Sequence, residues 1–133
     1  NLDSVTGGSG DDIYTVKAAI DKTSFATVSD FQQGDSVGFF GITDTTDAST
    51  FNITGLSLEA GSSLDQFLDT ATAGTTAQPH AVLSWFLFEG NTYLVNDRSA
   101  EETFQENTDQ AIILSGVLDL SNASVLNGVL TLV

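Results

Sequence analysis

Gly7-Gly8-Ser9-Gly10-Asp11-Asp12-Ile13-Tyr14-Thr15 is the stretch on which the reading of this chain turns, because it fits the nonapeptide G-G-x-G-x-D-x-U-x at every fixed position. Tyr14 takes the large apolar slot. One repeat upstream the phase persists, with Asn1 in the last glycine slot, Asp3 in the aspartate slot and Val5 in the apolar slot. Tandem nonapeptides of this kind predict a parallel β-coil, in which glycines turn the chain at positive φ and the U residue enters a short strand pointing inward.

The same spacing carries a chemistry. Tight glycine turns aim backbone carbonyls inward and the aspartate adds a hard anionic oxygen, a donor set suited to Ca²⁺. Two repeats make one coil, so an ion is expected to bridge turns eighteen residues apart, and eighteen residues from Asp12 lies Asp30. The candidate ligands are Asp3, Gly8, Gly10, Asp12, Asp30 and Asp35. Asp35 serves equally well as a cap of its own turn, and Asp21, in phase but without glycines, reads as coincidence. A phosphate loop is excluded: no Lys-Ser/Thr follows the glycines, and Asp11-Asp12 would repel the anion.

Working outward, Ile13–Val16, 26–31 and 37–40 read as β-prone pieces, the last two joined by a turn at Gln33-Gly34-Asp35. Residues 41–61 suit loops and short strands. Leu64, Phe67, Leu68 and Ala71 recur at helical spacing after Ser62, three residues before Asp65, and Gly74 is a stop, which predicts one amphipathic helix over about 62–73. Ala81–Phe88 and Thr92–Val95 flank Glu89-Gly90-Asn91 as a hairpin. Its aromatics, Trp85 and Tyr93 among them, read as core on one face; a sugar-binding platform would draw on the same residues. Beyond the acidic connector 97–109, whose Glu101, Glu102 and Glu106 read as a solvated face, three short apolar strands follow, the last two turning at Asn127-Gly128.

Composition narrows the partners. Eighteen Asp and Glu stand against three Lys and Arg in 133 residues, a net charge of −15, which repels nucleic acid and anionic lipid. The acidity is uneven: eight carboxylates face two lysines over residues 1–50, nine face one arginine over 51–109, and Asp119 is alone beyond. No cysteine is present for a disulfide scaffold, no run is long enough to span a bilayer, and the one histidine, His80, leaves little for catalysis. With no Met, position 1 included, the chain is expected to be a fragment or processed product.

On these motifs the chain resembles the C-terminal end of RTX (repeats-in-toxin) proteins secreted by Gram-negative type I systems. Val28-Ser29-Asp30-Phe31-Gln32-Gln33-Gly34-Asp35-Ser36-Val37 is similar to the D-F-x-x-G-x-D-x-(I/V) segment closing the β-roll of serralysin-type domains, and Gly90–Asp97 with Val117–Ser121 resembles RTX surface-layer proteins and adhesins. The resemblance implies a mainly β fold: the end of a calcium-binding parallel β-roll over 1–40 running into a β-sandwich-like or extended β-roll region over 41–133 with one helix, packed as one unit. It implies a non-catalytic domain, secreted to the cell surface, that folds on meeting Ca²⁺, engages the type I export machinery through its apolar end Val129–Val133, and self-assembles with like subunits. The alternative is the same tail on a secreted hydrolase such as a serralysin-type metalloprotease; no H-E-x-x-H motif is present.

Overall fold

The computed structural model describes residues 4–17, 25–39, 50–73, 82–99, 101–126 and 129–133. Asp3, Asp21, His80, the Gly74 stop and the Asn127-Gly128 turn lie outside them.

The fold is mainly β, two mixed sheets and one helix. Its elements are β1 Ser4–Val5, β2 Ile13–Val16, β3 Thr27–Val28, β4 Ser36–Phe39, β5 Thr50–Phe51, α1 Leu64–Ala71, β6 Val82–Phe88, β7 Asn91–Asp97, β8 Gln110–Leu114, β9 Ser124–Leu126 and β10 Val129–Thr131. Sheet A runs β1-β3-β8-β7-β6-β5, and sheet B runs β2-β4-β10-β9. Successive N-terminal strands alternate between the sheets: β1 pairs parallel with β3 in one, β2 parallel with β4 in the other. Both sheets then continue into strands from the second half of the chain, through β3–β8 and β4–β10.

The parallel register differs from the expected one. Ser4 faces Thr27 and Tyr14 faces Val37, an offset of 23 residues that the hydrogen bonds between the turns share. Turns 6–12 and 29–35 are equally long, so the extra residues fall between Val16 and Thr27. In consequence Asp12 stands level with Asp35, and Asp30 stands level with Gly7.

Sheet A is buried on both faces, which corrects the one-sided core expected for the hairpin. Leu83, Trp85, Leu94, Ile112 and Leu114 join Tyr14, Val37, Phe39 and Leu130 of sheet B in one apolar cluster. Phe86, Tyr93, Val95 and Ala111 join Phe67, Leu68 and Ala71 of the helix in another. That is why β6, VLSWFLF, is a near-continuous apolar run and not an alternating one. Trp85 and Tyr93 are each 7% exposed, so neither offers a ring face to a sugar.

Two local expectations shift by one residue for identifiable reasons. Ser63, not Ser62, caps the helix: its hydroxyl accepts from the Gln66 N–H while the Gln66 side chain accepts from the Ser63 N–H, closing a capping box. Ser62 is engaged with the Glu59 carbonyl in the preceding turn. The hairpin closes with the two residues Glu89 and Gly90, both at positive φ (50° and 80°), and Asn91 pairs with Phe88. Positive φ at both positions is the I′ geometry that matches strand twist.

Candidate metal site

Where the chain leaves β1 it must reverse into β2 within seven residues, and it does so through Gly8 and Gly10, at φ 98° and 114°. These are conformations that a side chain would strain. The equivalent turn between β3 and β4 uses Gly34, at φ 100°. The two turns lie one upon the other, Thr6 hydroxyl against Ser29 hydroxyl at 2.6 Å and Ser29 N–H on the Val5 carbonyl at 2.9 Å. Close stacking also restricts side chains: a Cβ on Gly7 would meet the Tyr14 hydroxyl and the Asp12 carboxylate, and one on Gly34 would meet the Asp11 carboxylate.

Three of the predicted carboxylates gather here. Asp30 accepts the Gly7 and Gly8 N–H groups at 3.1 and 2.8 Å and the Tyr14 hydroxyl at 3.3 Å. Asp35, fully buried, accepts the Asp12 N–H at 2.9 Å and the Gln32 N–H at 3.0 Å, so it both caps its own turn and ties the two turns together. Asp12 Oδ2 is buried and has no hydrogen-bond partner. Burial first, then the charges of Asp30, Asp35 and Asp12, raise the Tyr14 phenol above its ordinary value.

The same contacts divide the predicted ligands by what they already do. The Gly8 and Gly7 N–H groups hold the Asp30 carboxyl below its ordinary value, so this carboxylate is an anion seated on a glycine turn. The Gly8 carbonyl accepts the Gln32 amide at 3.1 Å. Asp12 alone presents a buried oxygen without a donor. As a donor set, carboxylate oxygens beside glycine carbonyls fit a hard cation in kind. Among the described residues, no group of three or more His, Cys, Asp or Glu converges closely enough to hold a metal as it stands.

Gln32 is a member of the site that motif reading passes over, and Tyr14, expected only as an inward apolar residue, joins the site through its hydroxyl. The sequence does carry a signal for the register itself: Val5-Thr6 with Asp12 repeats as Val28-Ser29 with Asp35, at the offset seen in the sheets.

An expected result follows for Asp30. With its folded pKa depressed, its stabilising contribution is present above the unfolded value near 3.8 and lost as pH falls through the lower folded value. Protection of the Gly7 and Gly8 amides, taken relative to intrinsic exchange at each pH, is therefore expected to fall in Asp30→Ala and, in the native chain, as the medium is acidified below about pH 4. Unchanged protection at both amides in Asp30→Ala would remove Asp30 from the turn's support.

Compared with known families and curated proteins, the chain matches no family model and no curated sequence.

Proposed function

We propose that this chain is a non-catalytic, calcium-binding C-terminal domain of a secreted RTX-type surface protein, serving export, calcium-triggered folding and self-assembly at the cell surface. The observation that carries the reading is Asp12 Oδ2, a buried carboxylate oxygen without a partner, set between stacked glycine turns beside Asp30 and Asp35. Asp12 would hold the ion, with Gly10 and the spare lone pairs of Asp35 and Asp30 as further donors.

Calcium supplies positive charge and oxygen coordination there. The chain's own residues do the rest. Asp35 and Asp30 order the turns through backbone N–H groups, and Tyr14 donates its hydroxyl to Asp30. Without a cation the clustered carboxylates repel one another, and the ordering entropy of the glycine turns opposes folding. Low calcium thus favours a loose chain fit for export, and a calcium-rich exterior favours the folded one.

Extracellular-type sites bind with Kd about 10⁻⁴ to 10⁻³ M, and ligand at 100 times Kd stabilises by about 2.7 kcal/mol. Thermal melting in 10 mM CaCl₂ against chelator is expected to show a higher midpoint with calcium, and Asp12→Asn to abolish the difference. Identical melting curves for the native chain in both media would refute the calcium reading.

A further inference from the structure

Outside the glycine turns the molecule buries a second pair of acids. Asp97 ends β7 and Asp109 immediately precedes β8, one step beyond the last cross-strand pair, Asn96 with Gln110. They are 3% and 0% exposed. Like charges opposed across a ladder are destabilising even at a surface, and here water is excluded.

The hydrogen bonds show how the pair is accommodated. Asp109 Oδ1 accepts the Arg98 and Ser99 N–H groups at 2.8 and 3.0 Å, while Oδ2 accepts the Gln105 N–H at 2.7 Å and the Ser99 hydroxyl at 3.2 Å. Four donors occupy the lone pairs of a carboxylate. Asp97 Oδ1 receives the same Ser99 N–H at 3.2 Å, so the two buried carboxyl groups face one backbone donor. Two carboxyl groups so buried and converging on one donor disfavour double ionisation, so the pair favours keeping one proton.

These contacts fold the segment Arg98–Asp109, described apart from Ala100, back over the helix side of sheet A. Its apolar anchor is Phe104, 3% exposed and edge-on to Phe25 at 5.7 Å. Its polar anchor on the helix is Asp69, which accepts the Phe104 N–H at 3.0 Å. Three backbone N–H groups of the segment, those of Arg98, Ser99 and Gln105, converge on the Asp109 carboxylate.

We propose that Asp97 and Asp109 form a proton-operated latch: one proton held by this buried pair fastens the segment Arg98–Asp109 across the helix-side core, and loss of that proton releases it, exposing Phe104 and Phe25. Burial, then the charge of Asp109, push the Asp97 carboxyl up to about 7, against the lowering pull of the Ser99 donors. From the residue just before β8 the group facing it is Asp109; β6 offers Val82; Arg98 follows it in the chain and points its backbone N–H at Asp109; α1 contributes Asp69, which accepts the Phe104 N–H; Glu101, Glu102 and Glu106 are exposed. A folded value raised above the ordinary 3.8 means that the latch is tightest below about pH 4 and slackens up to about pH 7, above which the loss is complete. This device is independent of any calcium at the glycine turns.

The test is amide exchange by NMR, corrected for base catalysis. Protection at Ser99 and Gln105 is expected to fall about tenfold or more between pH 5 and 7 and to level off above pH 8, while that of Leu94 in β7 does not follow. Asp97→Asn, which keeps the shape of the side chain but cannot titrate, is expected to hold protection constant over the range. If that variant fails to fold, carboxyl ¹³C shifts of the native chain give the Asp97 midpoint directly. A midpoint near 4, or the same exchange profile in Asp97→Asn as in the native chain, overturns the latch. So does restoration of Ser99 and Gln105 protection at pH 8.5 by calcium alone in the native chain, which would make the pair a cation site.

Discussion

Phe86→Ala is expected to destabilise the fold by about 3–5 kcal/mol, the range for deleting a fully buried aromatic. Phe86 has no exposed surface and lies between two parallel rings, Phe67 of the helix at 4.7 Å and Tyr93 of the neighbouring strand at 5.1 Å. Removing the middle ring leaves a cavity that neither neighbour can fill, since Phe67 is fixed by the helix and Tyr93 by its own strand. The stack is also what ties α1 to sheet A. Against a total stability of about 5–15 kcal/mol for a domain this size, the loss is a large share. Phe88 is the control: half-buried, it meets Phe67 and Tyr93 only edge-on, at 5.8 and 6.0 Å, and its alanine variant is expected to cost about 1 kcal/mol. Urea unfolding with an unchanged slope measures both. Equal losses for the two would mean that the stack adds nothing beyond exposure.

The helix was legible because its signals are local: apolar residues at i, i+3, i+4 and i+7, with a serine and a partner three positions on. The cap moved by one residue because Ser62-Ser63 offers two candidates, and only a tertiary fact, the turn on Glu59, decides between them. The glycine turns were legible for the same reason, each glycine announcing a backbone angle. The offset between the paired strands was not. Nine-residue phase places Asp30 over Asp12, whereas the structure places Asp35 there, because what lies between Val16 and Thr27 does not keep the nonapeptide count. Hydrophobic pattern likewise cannot tell a strand buried on both faces from one whose apolar residues happen to be consecutive, so the second face of sheet A emerged only with the helix seated on it.

Charge was the least legible property. Asp97 and Asp109 belong to the same acidic connector as Glu101, Glu102 and Glu106, yet the first two are buried and the other three are exposed. The difference is positional. Asp97 and Asp109 stand at the ends of strands that burial on both faces draws inward, whereas the glutamates occupy the span between. A count of carboxylates therefore says little about which of them the fold must neutralise, by a proton at Asp97 or by backbone donors at Asp30 and Asp35.

Leu130→Ala is expected to cost about 2–5 kcal/mol and to loosen the candidate site as well as the core. Leu130 is fully buried in β10, the strand that faces Val37 of β4 on one side and Val125 of β9 on the other. Around it the chain end holds the second glycine turn from below: Gly34 N–H on the Leu132 carbonyl at 2.8 Å, Leu132 N–H on the Asp35 carbonyl at 3.0 Å, and the Ser36 and Thr131 hydroxyls 2.8 Å apart. An apolar terminal strand is thus core and site support together. Shortening the Leu130 side chain should free β10 before the β6–β7 hairpin, whose packing onto the helix does not involve it. Amide protection at Gly34 and Leu132 is accordingly expected to fall further than at Leu94 and Val95, and calcium, if it binds at Asp12, to recover part of the loss. A uniform drop at all four amides would show that the chain end supports the fold as a whole and has no particular hold on the turn that carries Asp35.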